Sequence, residues 1–440
     1  MGVTESLVSH ILESRPDELA RQCARKGFCD FLAACWFPLQ QQIPESGLPI
    51  LREVYSGKSA ANRAVILGYA GHSLDFDDFH ADFRGHPSTV ILPALIAWCS
   101  LQPTFSINDF LDAYIIGVEI AGRTGLAITQ QHYALGNHNT ATLGTLAAAA
   151  ALIRLTRPSH GRAAVLLGIA ATQASGLRAQ FASAVKPLHA GLAAERAVRS
   201  AQLALAGFNG QSRGVLESFL SFGSHGQARG ELLTSGWGAP WRIVSPGLEF
   251  KPFATCSGTH SAAEAARLIR NQWLQEERTL NGLLNAIHHI EVAFPPGGDI
   301  AASVRRPVTG IGARFSLEYV VAAMLLYGDL RMRDFAEGPI NADIMALAAR
   351  VRRCPDDSAP SDALNPALRF HEVTLFLKDG RKLIQRRTRQ QSVRDGVNVQ
   401  EKLQRALQGE SEERSHAVLK DCALLTNEQL YRLIAALLPE

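Results

Sequence analysis

LGTLAAAAALIRL, residues 143–155, is the stretch on which the fold class turns. Small residues at most positions, with leucine at intervals, let helix backbones approach closely, and few β-branched side chains are present to favour a strand. A second run, GRAAVLLGIAATQASGL at 161–177, has the same character. Both predict buried, tightly packed helices. Neither predicts a membrane span: the apolar segment 146–153 ends at Arg154, and the chain has no run of about 18 uninterrupted apolar residues.

The same helical character extends outward. Residues 18–39 read as a helix with an apolar stripe through Leu19, Cys23, Phe28, Phe31, Leu32 and Cys35. Ser106, Asn108 and Asp109 form a capping pattern ahead of Phe110, Leu111, Tyr114, Ile115 and Val118. Beyond about residue 260 the pattern changes. A helix at 262–274 precedes HHIEVAFPPG (288–297), whose alternation predicts a strand. HEVTLFLKDGRKLIQRRT (371–388) carries Asp379-Gly380 between two alternating halves, a hairpin signal. Segments 315–326 and 344–354 read as helices, and 401–407 and 427–438 return to helix. The expected fold is mainly α. A large all-helical domain covers 1–258, with C-terminal helices in 396–440 returning to it, and a smaller α+β lid domain covers 259–395. A loop rich in Ser, Gly and Trp at 222–248 leads to the boundary, and no internal repeat is evident.

Composition narrows the function classes. A chain of 440 residues exceeds what one hydrophobic core usually serves, consistent with two units. The 44 basic and 41 acidic residues leave a formal charge of +3, too balanced to point to nucleic acid as the main partner. A local basic excess at Arg381, Lys382, Arg386, Arg387, Arg389 and Arg394 reads as a solvated strand and loop. The seven cysteines are scattered and lack a CxxC pair, so neither a disulfide framework nor a structural zinc or iron–sulfur site is expected. The N-terminal residues contain charge early and no apolar signal core. A reducing, cytoplasmic setting without membrane attachment is the expectation.

Acid and base are concentrated in GHSLDFDDFHADFRGHPS, residues 71–88, where four carboxylates and three imidazoles fall within a chain that is only 19% charged. Asp75, flanked by Asp77 and Asp78, can hold an imidazole or act as a base, because crowded carboxylates raise one another's pKa. It reads equally as a solvated loop after a helix. His86 precedes Pro87, a favourable first helical residue, and Ser88 and Thr89 follow. Free amides at such a helix start can bind a carboxylate; the plain alternative is a surface histidine beside a cap. His138 and His260 each stand just ahead of a helix, where a capping or surface role is the simpler reading. Lys186 and Lys251 both precede proline, which predicts extended backbone at each and a side chain directed inward, or else ordinary solvation. Arg178 and Arg84 offer guanidinium groups suited to a carboxylate. His189 stands near Lys186 as a supporting or core residue, and Cys256 reads as a small buried thiol.

Six ordered blocks then identify a resemblance: GHSLDFDD (71–78), HPSTVILPALIA (86–97), GNHNTATLGTLAAAAAL (136–152), KPLHAGLAA (186–194), KPFATCSGTH (251–260) and ARFSLEYVVAAMLLYG (313–328). Over roughly residues 15–390 the chain is similar to the MmgE/PrpD family, which includes 2-methylcitrate dehydratases, cis-aconitate decarboxylases and iminodisuccinate epimerases. The resemblance implies a helical domain with an α+β lid, a homodimer, no cofactor and no metal, and a small polycarboxylate as substrate. It implies catalytic roles for Asp75, His86, His138, Lys186 and His260. Substrate-carboxylate contacts are expected from Ser88, Thr89, Lys251, Arg178 and Arg84. The expected reaction is a lyase step by acid/base catalysis, with dehydration of a 2-methylcitrate-like acid placed first, and decarboxylation, epimerisation or silent carboxylate binding as alternatives. Two departures bear on substrate choice. Phe79 stands where family decarboxylases typically carry threonine, and Asn139 stands where proline usually follows the histidine.

Overall fold

The computed structural model describes residues 2–40, 45, 47–276, 278–362 and 368–438. The alanine-rich run folds into the helix Asn139–Thr156, in which every residue from Asn139 to Leu155 is buried. It packs among Ser88–Cys99, Ile107–Ala134, His160–Gln173 and Val185–Leu205. All-round burial explains why its sequence shows no polar face.

Close backbone approach is clearest where Ala60–Ser73 crosses Val185–Leu205. A Cβ on Gly191 would lie 2.4 Å from the Val65 carbonyl oxygen, and one on Gly68 would lie 2.7 Å from the Gly191 Cα. Glycine at both positions therefore sets the interhelical distance. Ser106 caps Ile107–Ala134 in a reciprocal capping box with Asp109, as the capping pattern predicts. Glu18–Leu39 forms over its predicted span. Phe28, Phe31, Leu32 and Cys35 from it are buried, while Leu19, placed in the same apolar stripe by sequence, is 55% exposed.

One hydrophobic core extends from Leu7 to Ile243 and takes in residues Val399 to Leu437; a second extends from Phe253 to Leu377. The second core is built on a four-stranded sheet of order β2-β1-β3-β4. Its strands are β1 (Ile287–Phe294), β2 (Val351–Pro355), β3 (Phe370–Leu377) and β4 (Lys382–Thr388). β1 pairs parallel to β2 and antiparallel to β3, with Val292 opposite Val373. The Asp379-Gly380 turn joins β3 to β4, with Gly380 at φ +86° as such a turn requires. His260–Gln275 and Leu317–Tyr327 pack against the sheet.

Three sequence expectations need correction. The predicted helix at 344–354 is a helix only over Ala342–Ala348, and its remainder is β2. Parallel pairing with β1 overrides the local helical pattern there. The run at 161–177 leaves the helix after Gln173. The return to the first core also includes a helix, Glu412–Asp421, whose polar sequence concealed it. The basic stretch is largely paired: Arg381 with Asp379, Arg386 with Glu372, Arg387 with Glu264, and Arg389 with Glu249. No helix among the described residues is long and apolar enough to cross a membrane.

Two outcomes are expected. Gly191→Ala should lower unfolding free energy by about 1–3 kcal/mol in urea titration, because the added methyl group meets backbone rather than a mobile side chain. The second concerns His371 on β3, whose two ring nitrogens are buried without partners and whose pKa burial lowers to about 3. A depressed imidazole favours folding above its unfolded pKa of about 6.5, and that contribution is lost as pH falls toward 3. His371→Leu should therefore gain stability over the parent as pH falls from 6.5, by about 2 kcal/mol at pH 5, in paired thermal melts.

Candidate active site

Asp75 follows the helix Ala60–Ser73 at φ +51°, a left-handed conformation that costs a non-glycine residue about 1–2 kcal/mol. Ionic contacts hold it there. Its Oδ1 lies 2.7 Å from Lys186 Nζ and 3.0 Å from Lys251 Nζ, and Lys251 also donates to the Asp75 carbonyl at 2.9 Å. All three residues are buried. Burial opposes ionisation of Asp75, but Lys186 and then Lys251 hold its carboxyl well below the usual range. Burial likewise opposes the charge on Lys251, yet Asp75 and Asp77 raise its pKa. Both groups keep their charge.

The local structure supplying these lysines differs from expectation at one of them. Lys186 is helical, in the first turn of Val185–Leu205, rather than extended. Pro187 is tolerated because amides in a helix's first turn need no intrahelical partner. Lys251 lies in irregular backbone after the 222–248 loop.

Four imidazoles extend from this ion cluster. His86 Nδ1 lies 2.7 Å from the Asp78 carbonyl and so donates there, which leaves the Nε2 lone pair facing Asp75, 3.9 Å away. His72 Nδ1 lies 2.8 Å from Asp77 Oδ2, and its Nε2 is buried without a partner. The rings of His72 and His86 are 4.7 Å apart, and His72 stacks on His138 at 5.9 Å. His138 Nδ1 in turn lies 3.1 Å from His189 Nδ1. Burial lowers the pKa of all four, to about 4 for His189 and well below 6.5 for His86 and His138. Neutral imidazoles can each accept a proton at one nitrogen while donating at the other, which suits proton transfer.

The lid contributes Arg314 and Phe315. Arg314 donates through Nε to the Phe335 carbonyl at 2.9 Å and through a second nitrogen to the Ser73 carbonyl. Among the described residues it forms no ion pair, although it is buried near Asp75. Phe181 and Phe315 each lie 5.5 Å from Lys186 Nζ, and Phe181 also packs edge-on to His138 at 5.0 Å. Glu45, His72, Asp75, Lys186, Arg314 and Phe315 line a void of ≈ 10 Å³, room for about one water molecule. Three cations, Lys186, Lys251 and Arg314, therefore converge here, faced by the carboxylates of Asp75 and Asp77 and by Glu45, which lines the same void and acts on Arg314.

The remaining sequence candidates are distributed around this centre. His260 is buried against Phe253, with Nε2 3.1 Å from the Thr255 carbonyl, and burial followed by Lys251 lowers its pKa to about 3. The start of Ser88–Cys99 is already occupied by the chain's own Asp78, which accepts from the Ser88 amide at 3.3 Å and from the Ser88 hydroxyl. Pro87 is the cap of that helix and not its first residue. Thr89 donates to the Gly68 carbonyl at 3.3 Å. Arg178 stacks over Tyr133 at 4.0 Å. Arg84 is partly buried, and its nearest charge influences are Asp82, Tyr133 and Asp362. Thus Arg84 and Arg178 both meet Tyr133. Phe79 places its ring 5.9 Å from His86 and pairs its backbone with Glu249. Asn139 donates to the Phe83 carbonyl at 2.8 Å from the first turn of its helix.

Ligand atoms of His72, Asp75, Asp77 and His86 lie within 4.8 Å of one another, the spacing a metal ion needs. Two ammonium groups already hold Asp75 and would repel a cation. A weak, competing metal site is the most this arrangement offers.

Sequence reasoning overlooked His72, Asp77, Phe181, Arg314 and Lys402. Lys402 comes from the C-terminal return helix Val399–Ala406. Its buried ammonium donates to Asp30 Oδ1 at 2.6 Å and to the Phe76 carbonyl at 2.6 Å, and lies 3.8 Å from the Phe76 ring centre. It thus fixes the peptide between Asp75 and Asp77. Burial raises the Asp30 pKa to about 6 despite Lys402, and one of its carboxylate oxygens is unpartnered. Lys402→Met should cost about 3–5 kcal/mol in urea titration, since it strands a buried carboxylate. Asp30→Asn combined with Lys402→Met should recover most of that loss; a double variant as unstable as the single would place the energy in the Phe76 contact instead.

The chain matches the MmgE/PrpD N-terminal domain over residues 18–224 and the MmgE/PrpD C-terminal domain over 253–422. Among curated proteins it is 32% identical over 327 residues to the cis-aconitate decarboxylase of Homo sapiens, covering 72% of this chain and 65% of that protein. The mouse cis-aconitate decarboxylase is 31% identical over 329 residues, covering 72% of this chain and 64% of that protein. A cis-aconitate decarboxylase-like protein of Aspergillus oryzae is 26% identical over 375 residues, covering 78% of this chain and 77% of that protein. The matched region therefore spans slightly less than two thirds of the two mammalian relatives.

Proposed function

This chain belongs to the MmgE/PrpD family, and from that footing we propose that it is a lyase which decarboxylates a small unsaturated di- or tricarboxylic acid of the cis-aconitate type. The single observation that carries the reading is the buried convergence of three cations, Lys186, Lys251 and Arg314, beside neutral imidazoles. The relatives' names reverse the order of reactions favoured from sequence, placing decarboxylation ahead of dehydration.

The chemistry follows from the charges. A substrate carboxylate competes with Asp75 for Lys186 and Lys251, and Arg314 supplies a third contact from the lid. When one carboxylate leaves as carbon dioxide, its bonding electron pair becomes the new carbon–carbon double bond. The existing double bond shifts, and the carbon beside a retained carboxylate takes a proton. Negative charge grows on that carboxylate in the transition state, where fixed cations in a dry site stabilise it most. Once the bound anion offsets the cations, His86 or His138 takes up a proton from solvent before the site closes and delivers it to that carbon, and the His72–Asp77 pair orients the imidazole row. The void of ≈ 10 Å³ does not admit such an acid, so the segment carrying Arg314 and Phe315 withdraws for entry and closes to exclude water. Homodimer formation is part of the same proposal and rests on the family alone.

The test is proton NMR of cis-aconitate turnover in D2O. One carbon dioxide should be lost per substrate, with a single deuterium at the carbon that bore the original double bond. Lys186→Met and His138→Gln should each lower kcat/KM by 10²-fold or more, as expected when a charge-stabilising or proton-transferring group is removed. Loss of water, or exchange without loss of carbon dioxide, would replace decarboxylation with dehydration or epimerisation. No turnover of any family substrate despite binding would sink the lyase reading.

A further inference from the structure

A second cavity, of ≈ 390 Å³, shares no lining residue with the void at the two-lysine centre. It lies between Glu18–Leu39 and the return helices Val399–Ala406 and Glu412–Asp421. Arg25, Lys26, His416 and Lys420 line it, and no acidic side chain does, in a chain with 44 basic and 41 acidic residues. Such one-sided lining does not follow from composition.

The charges are also unspent. Arg25 is bound to Glu18 at 2.6 Å, but Lys26, His416 and Lys420 form no ion pair among the described residues. His416 and Lys420 are four residues apart on one helix and so present to the same side. The inner wall is apolar, with Val399, Leu403 and Leu419. Cys29 and Cys422 complete it, and contact with Cys29, then burial, raises the Cys422 pKa well above its usual value. A concave apolar wall with a few convergent polar groups at its rim is the usual form of a small-molecule site. At the volume a water occupies in the liquid, the space holds roughly a dozen non-hydrogen atoms.

We propose that this cavity binds a small amphipathic anion. A carboxylate, sulfonate or phosphate headgroup sits at the Lys26–Lys420 rim, and a short hydrocarbon or aryl body rests on Val399, Leu403 and Leu419. The site has a route to the catalytic loop. Val399–Ala406 presents Val399 and Leu403 to the cavity and Lys402 to Asp30 and Phe76. Glu18–Leu39 likewise carries Cys29 on the cavity side and Asp30 at Lys402. A ligand seated there bears on both helices that fix the Phe76 peptide.

The test is isothermal titration calorimetry of the full chain with naphthalene-1-sulfonate, an anion of the size the cavity holds, which requires no turnover and so stands apart from the lyase reading. One saturable site per chain is expected, weakened by added salt and not displaced by cis-aconitate. Lys26→Glu with Lys420→Glu, both exposed positions, should weaken it roughly ten-fold or more at low salt. Ala423→Trp, which fills the exposed mouth, should weaken it without changing charge. Parent-like affinity in both variants, or displacement by cis-aconitate, would overturn the proposal.

Discussion

Asp75 with two ammonium groups on one carboxylate oxygen is the contact from which the rest of the site follows. A lone carboxylate buried this deeply would take up a proton, and a lone buried lysine would lose one. Together they remain charged because each removes the other's desolvation penalty. The two ammonium groups exceed their own carboxylate by one charge, and Arg314 adds another cation, with Asp77 and Glu45 as the further carboxylates nearby. Cations gathered in a site closed to water suit an anion, and burial, assisted by those cations, keeps the neighbouring imidazoles neutral.

The helical scaffold exists to make that geometry repeatable. Asp75 leaves Ala60–Ser73 and Lys186 enters Val185–Leu205, and these two helices touch through Gly68 and Gly191 with almost no side chain between them. A contact set by backbone leaves little freedom in the distance between the carboxylate and the ammonium. His86 and His138 are placed by neighbouring helix starts in the same bundle, and Thr140 ties the two by accepting from the His86 amide at 3.1 Å.

Much of this was legible in the sequence, for identifiable reasons. Alanine-rich runs, capping residues and the Asp379-Gly380 turn are local signals, and the structure follows them at 139–156, at 107–134 and in the hairpin of β3 and β4. Asp75, His86 and Lys186 could be singled out because an ionisable residue beside proline or within an acidic run is locally unusual. What escaped depended on distant chain. β2 becomes a strand only because β1 offers it an edge, and Lys186 is helical because its proline falls in a first turn. The start of Ser88–Cys99 looked available to a ligand, but Asp78, ten residues earlier, already fills it. Lys402 carries no local mark at all, since its partners Asp30 and Phe76 are 372 and 326 residues away.

That separation has a consequence for how the protein comes into being. During synthesis the earlier helices, the glycine contact and even the lid can be assembled while Val399–Ala406 is still unmade. The Phe76 carbonyl and the Asp30 carboxylate would then face a gap that only residue 402 fills. Long-range closure of this kind comes late, because the ordering entropy of the intervening chain must be met first. The centre is thereby tied to residue 402: until it has been made, a chain can be folded in most of its helical volume yet not set at Phe76.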